Sequence, residues 1–271
     1  MYLMALSMRL VITSLKASEK AIPFVYKKNS FMTGSESTVS ELAELGLSRL
    51  RLCAVPYGVN TALYSPGVKS EWPSILFVGR IKKYKGIANL LSAIIRVRDH
   101  IPDIHVDIVG EGDARADLER RSRELGLDDV VKFHGYIDEQ SKIESYQRAW
   151  IACLPSAKEG FGLTIPEAAL CETPTVGYDV AGVRDAIVHG ETGLLVPHGN
   201  VERLSEAFLT LLCDGELQGR MGRAARARYT EFTWDAAAEM MLEQIDGLLC
   251  KHAANTLLDP VLDRLEDSYG R

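Results

Sequence analysis

A chain of 271 residues has room for one large or two modest domains, at about 150 residues per domain. Apolar residues make up 46% and charged residues 25%, the balance of a soluble globular protein. The net charge of −6 excludes the basic excess of a nucleic-acid binder. Five cysteines, odd in number and without C-x-x-C spacing, argue against a disulfide framework or a metal centre and for free thiols in a reducing cytosol.

Residues 1–20 read as a helix with one apolar face. Arg9 and Lys16 interrupt it, so it lacks both the unbroken apolar stretch of a signal peptide and the length of a membrane span. A weak membrane-surface contact is the lesser reading of that apolar face. Residues 29–33 form a short strand-like run. A helix begins near Thr38 and ends at Gly46, and Leu50 to Val55 is β-rich. Pro56-Tyr57-Gly58 breaks that run, and Pro66-Gly67 and Pro73 punctuate the next stretch, placing a domain boundary across 56–73.

From Ser74 the pattern alternates. Strand-like runs at 75–79, 104–109, 130–134, 149–154, 174–177 and 193–196 are separated by helical stretches at 87–99, 114–126, 139–148, 164–172 and 183–189. Short apolar strands alternating with helices call for a parallel sheet covered on both faces, with ligands beyond the strands' carboxyl ends. Gly79, Gly110 and Gly135 fall at such ends. Residues 200–213, 216–230 and 234–249 read as helices, and 251–271 as a partly helical tail.

Residues 155–174 concentrate the chemistry. After the run 149–154 comes a loop with Gly160 and Gly162, then a helix opening near Leu163 and Thr164, with Glu159 and Glu167 bracketing both. Glycines admit a ligand close to the backbone, and a helix start offers unpaired N–H groups to an anion. Two carboxylates can accept hydrogen bonds from sugar or ribose hydroxyls. Thr164-x-x-Glu167 also fits a capping box, in which Glu167 only closes the helix start. That second reading leaves Glu159, Gly160 and Gly162 unexplained.

The stretch Glu159-Gly160-Phe161-Gly162-Leu163 with Glu167 resembles the Glu-x7-Glu signature of retaining glycosyltransferases of family 4, which have the GT-B fold. Gly79, Arg80, Lys85 and Gly86 match that family's G-R-x-x-x-x-K-G spacing. Ala181-Gly182-Val183-Arg184-Asp185 resembles its G-G-x-x-E loop, with Ala181 and Asp185 as mild changes. Glu172 stands where the family usually has Gly. If it occupies a left-handed helix terminator, the cost is about 1 kcal/mol.

The resemblance implies an α/β fold: a GT-B type, Rossmann-like doubly wound parallel sheet in residues 74–250, and an incomplete N-terminal Rossmann-like domain in 1–58. Residues 59–73 would be the linker; the V-P-Y-G-V-N run leading into it resembles the family's linker motif, with Tyr57 where Asn and Asn60 where Asp is commoner. The N-terminal half of such enzymes normally holds a complete sheet and most of the acceptor site, and only about 60 residues precede the linker here.

Arg80 and Lys85 are expected to neutralise the donor diphosphate, together with the amides near Gly162, Leu163 and Thr164. By the resemblance, Gly79, Gly135, Tyr136, Gly160 and Phe161 line the donor, Glu159 contacts the donor sugar and Glu167 the ribose. The base lies near Phe133-His134-Gly135-Tyr136. His134 reads as a structural or exposed residue, and Gly110-Glu111-Gly112 as a bare G-x-G near the ligand. Glu159, Arg80 and Lys85 are the residues expected to carry catalysis, without a metal or other cofactor.

The implied reaction is retaining transfer of a sugar from a UDP- or GDP-sugar to a hydroxyl of a glycan or lipid-linked acceptor, as in polysaccharide biosynthesis. The expected location is the cytoplasm, at the inner face of the membrane. The alternative is a non-catalytic nucleotide-sugar-binding module, or half of a split transferase with a separate N-terminal-domain subunit. A glycosidase carboxylate pair is disfavoured because Glu167 belongs to the helix start, and an epimerase of the same architecture lacks support from the Glu159–Glu167 context.

Overall fold

The computed structural model describes residues 22–26 and 29–249. The expected helix over 1–20 and tail over 251–271 lie outside the described residues. Two parallel sheets are present.

The smaller sheet is a βαβ unit. Strand β1 (Phe31–Thr33) leads into α1 (Glu36–Glu44), and the chain returns through a single helical turn to β2 (Leu52–Ala54), parallel to β1. Helix α1 starts where its cap dictates: the Ser35 hydroxyl accepts from the Thr38 amide, satisfying one of the orphan N–H groups of the first turn. The helix therefore begins two residues before the expected Thr38.

The larger sheet holds β3 (Ser74–Val78), β4 (His105–Val109), β5 (Val131–Gly135), β6 (Ile151–Leu154), β7 (Thr175–Tyr178) and β8 (Gly193–Val196). All pairings are parallel and the order is β5-β4-β3-β6-β7-β8. Helices α2 (Ile87–His100), α3 (Arg115–Glu124), α4 (Glu139–Arg148), α5 (Thr164–Leu170) and α6 (Val183–Ala186) connect successive strands. Helices α7 (Val201–Leu212) and α8 (Gly215–Tyr229) come after β8. Strands β3 and β6 are buried along almost their whole length, which is why they read as continuous apolar runs without alternation. Helix α2 turns Leu90, Leu91, Ile94 and Val97 onto the sheet at helical spacing.

Helices α6 and α5 end before their expected limits for local reasons. Helix α6 stops at Ala186 because Ile187 is extended and the Val188 amide donates to the Thr192 hydroxyl instead of to a helical carbonyl. Helix α5 stops at Leu170 because Glu172 turns left-handed, with φ +55°. Glu172 is the only non-glycine with positive φ among the described residues. Its carboxylate makes only a half-exposed contact with Arg226 at 3.4 Å. Glu172→Gly is therefore expected to raise stability by about 1 kcal/mol, read as a higher denaturation midpoint at unchanged slope.

The chain crosses between the sheets twice, side by side. The Val59 amide donates to the Phe232 carbonyl at 2.8 Å. Gly58 lies so close to Trp234 that a Cβ would stand 2.5 Å from its backbone. The last described helix, α9 (234–249), then runs beside the smaller sheet, where Gln244, Gly247 and Leu248 share a cleft with Phe31, Met32 and Cys53. No described helix is long and apolar enough to cross a membrane.

Candidate functional site

The strand order reverses between β3 and β6. Chain connections leave β3 and β6 toward opposite edges, so a crevice opens at their carboxyl ends. Arg80 and Lys85 come after β3, and Glu159, Gly160, Gly162 and Glu167 after β6. The segments singled out by their motifs thus meet at the switch point of the sheet.

Lys85 and Glu159, 74 positions apart, form an ion pair: Nζ to Oε1 is 2.5 Å, with the side chains 12% and 11% exposed. Sequence reasoning gives them separate roles, and the fold joins them. Gly86 makes the approach of their loops possible. It has φ +71°, and a Cβ there would stand 1.9 Å from the Pro155 carbonyl oxygen. The Ala157 amide adds a bond to the Tyr84 carbonyl at 2.8 Å. Arg80 is exposed and donates through Nη2 to the Tyr84 hydroxyl at 3.0 Å. Arg80, Tyr84, Glu159 and Gly160 face a cleft of about 680 Å³ whose other wall is Thr38, Glu41, Leu42 and Leu45.

The glycines divide by cause. Gly162 has φ +74° and is packed by Leu154 and Ile165, so the turn into α5 requires it. Gly160 has no atom within 4 Å of where a Cβ would lie; the protein itself sets no requirement for it. Gly79, Gly110 and Gly135 hold the strand-end loops together. The Gly110 amide donates to the Gly135 carbonyl at 2.8 Å, and a Cβ on Gly110 would stand 2.0 Å from the Gly79 oxygen. Gly112 is closed off in the same way by the Ile81 carbonyl. The G-x-G at 110–112 therefore serves loop packing.

Glu167 is no cap. The N-cap of α5 is Leu163, with no side-chain cap bond. The Glu167 carboxylate instead turns to α4, accepting from the Tyr146 hydroxyl at 2.8 Å and from Lys142 Nζ at 3.0 Å. Lys142 also pairs with Glu139 at 3.1 Å, and Glu139 accepts from the Tyr64 hydroxyl at 2.6 Å. Burial, reinforced by the Glu167 charge, pushes the Tyr146 hydroxyl well above its ordinary range. Burial pulls Lys142 down, but Glu167 and Glu139 more than offset it and the ammonium is held on. The Tyr64 hydrogen bond lowers Glu139. Sequence reasoning misses this network. Its signal is the spacing of Glu139, Lys142 and Tyr146, which stack on one face of α4.

The C-terminal end of α5 is tied down as well. Lys69 donates to the Thr173 hydroxyl at 2.6 Å and to the Cys171 carbonyl at 3.3 Å, and Thr173 donates on to the Tyr146 carbonyl at 2.7 Å. Burial lowers the Lys69 ammonium to about 8.

The other residues expected at the site lie on β5, just beyond it, and on the segment after β6. Tyr136 is 84% exposed beyond β5. Phe161 is 4% exposed and meets Tyr57 edge-on at 6.0 Å, so its ring anchors the loop from below. Leu163 is exposed and Thr164 half-buried at the start of α5. His134 is engaged by Asp107 at 2.5 Å, away from the acidic and basic groups just described.

A parallel sheet in this order, with cations after one switch strand and glycines and carboxylates after the other, defines the doubly wound class of nucleotide-binding α/β folds. The chain belongs to the Glycosyl transferases group 1 family, whose pattern matches residues 65–228. It is 32% identical over 237 residues to a D-inositol 3-phosphate glycosyltransferase of Pseudarthrobacter chlorophenolicus, covering 81% of this chain and 56% of that protein. It is 30% identical over 219 residues to a glycogen synthase of Mycobacterium tuberculosis, covering 79% of this chain and 53% of the relative. The chain thus spans about half the length of these curated relatives. Its fold is similar to that of sucrose-phosphate synthase from Thermosynechococcus elongatus, with TM-score 0.73 and 29% identity over 81% of this chain and 58% of that one.

Proposed function

We propose that this chain carries the donor-binding half of a retaining glycosyltransferase, moving a sugar from a nucleoside diphosphate sugar to a hydroxyl acceptor. The observation that carries the reading is the convergence of Arg80, Lys85, Glu159 and open Gly160 at the switch point between β3 and β6. In this reading residues 1–58, 59–73 and 74–250 are acceptor-side segment, linker and donor domain.

The costly event is departure of the nucleoside diphosphate as the glycosidic bond breaks. Fixed positive groups aimed at the leaving phosphates lower that barrier without reorganising. Arg80 and Lys85 supply the charge. Lys85 has three donors and spends one on Glu159, leaving others for a phosphate oxygen. The amides of Leu163 and Thr164 precede the intrahelical bonding of α5 and face outward from the same end. Glu159, tethered by Lys85, accepts from donor-sugar hydroxyls. Glu167 keeps lone pairs free beside those used by Tyr146 and Lys142 and takes the ribose. Gly135 and Tyr136 border the base, and Gly79 and Gly162 fix the loops that hold these groups. The acceptor, a glycan or lipid-linked hydroxyl, enters by the cleft along α1.

Calorimetric titration with UDP, GDP and ADP tests the reading. One nucleotide is expected to bind saturably, and Arg80→Ala and Glu167→Ala each to weaken it by about tenfold or more. Gly160→Ala is expected to leave stability unchanged and still weaken binding, because only a ligand would occupy the space the methyl fills. Failure of all three nucleotides to bind would refute the donor site in this chain. Turnover by the isolated chain, against binding alone, separates a transferase from the non-catalytic module or split-enzyme half.

A further inference from the structure

Asp185 has no assigned task in the reaction above. It sits on the short helix α6, where its carboxylate caps Gly182, and it also reaches α1, 148 positions away. The Ser37 amide donates to Asp185 Oδ1 at 3.0 Å, and the Ser37 hydroxyl donates to Oδ2. The Gly182 amide is shared between the Ser37 hydroxyl at 2.8 Å and Asp185 Oδ2 at 3.1 Å. The first turn of α1 is thus locked onto the 181–185 loop through one carboxylate.

That loop backs the residue expected to hold the donor sugar. The Glu159 amide donates to the Ala181 carbonyl at 3.4 Å. Gly182, with φ +78°, lies so close that a Cβ would stand 2.3 Å from the Glu159 carbonyl oxygen. Lys158 adds a surface pair to Glu41 of α1 at 3.3 Å. A continuous set of contacts therefore runs from Ser37 through Asp185 and Gly182 to the Glu159 backbone, while Lys85 fixes the Glu159 side chain from the other side.

We infer that Asp185 and Ser37 form a clamp that positions Glu159, so that the βαβ segment sets the geometry of the donor-sugar subsite. Asp185 is a positioning residue here and touches no substrate. The inference rests on the donor reading only for its consequence in sugar binding; the clamp itself is a property of the chain.

Hydrogen exchange tests the clamp directly. In Asp185→Ala, peptides covering 156–162 are expected to exchange about tenfold faster, and in Ser37→Ala roughly threefold faster, with β3 and β6 unchanged. The double variant should exchange no faster than Asp185→Ala, because both changes break one contact set. Unchanged exchange at 156–162, or an even rise across the whole large sheet, overturns the clamp.

A second measurement reads the consequence. Titration of UDP against UDP-glucose, GDP against GDP-mannose and ADP against ADP-glucose gives the affinity that the sugar adds. Asp185→Ala should erase that sugar-dependent ratio while the nucleoside diphosphate affinity stays within about threefold. Equal loss for both members of a pair overturns the positioning role. If the wild-type chain binds none of the pairs, the donor reading fails and the exchange result still decides the clamp.

Discussion

Lys85→Met is expected to lower turnover of the nucleotide sugar by about 10²- to 10³-fold, the scale of losing one fixed positive group at a developing anion. It is also expected to destabilise the fold by about 2–4 kcal/mol. Both effects come from the same pair. Glu159 is 11% exposed and has Lys85 at 2.5 Å. Removing the ammonium leaves a carboxylate largely shielded from water with no compensating charge and, in the proposed mechanism, takes from the leaving diphosphate its partner after β3. The double variant Lys85→Met/Glu159→Gln separates the two. It should recover most of the lost stability, because no uncompensated charge remains, and none of the turnover. Urea unfolding and donor-hydrolysis rates on the two variants give the comparison. Wild-type turnover in Lys85→Met would remove the residue from the mechanism.

The second large effect is expected at Gly86. Gly86→Ala forces a methyl to within 1.9 Å of the Pro155 carbonyl oxygen and holds alanine at φ +71°. The left-handed conformation alone costs about 1 kcal/mol. The clash is with backbone, so no rotamer relieves it, and the loops after β3 and β6 must separate. A total of about 3 kcal/mol or more is expected, with nucleotide binding lost even in the folded fraction. Gly160→Ala provides the contrast, since open space surrounds that position. A thermal or urea midpoint for Gly86→Ala equal to the wild-type value would contradict the close contact between the two loops.

Glu167 shows how far sequence reasoning reaches. Its spacing from Thr164 satisfies a capping box and its spacing from Glu159 satisfies a ligand pair, and nothing local separates the two. The structure rules out the cap, because the N-cap of α5 is Leu163 and the carboxylate is drawn to Lys142 and Tyr146 of the preceding helix. Glu172 goes the other way. A position where glycine is usual points to a left-handed turn, and φ +55° is found. Local conformation leaves a mark on local residue choice, whereas a partner 20 or 100 residues away does not.

The alternation of apolar runs and amphipathic stretches from Ser74 to Val196 determined the order and type of the elements, though not every helix end, because burial on both faces and 3.6-residue periodicity are written into consecutive residues. The strand ends fall within two residues of their expected places. The cation and carboxylate motifs were equally legible, as each is a short run with its own glycines. Strand order is not local. Only the tertiary structure sets β3 between β4 and β6: the β6 side turns Lys85 and Glu159 into one ion pair and Gly86 into a point of backbone contact, the β4 side does the same for Gly110, and the docking of α1 brings Ser37 against Asp185. The sequence by itself determined which chemistry is available; the packing of distant strands decided which of those groups share a charge, a cleft and a hydrogen bond.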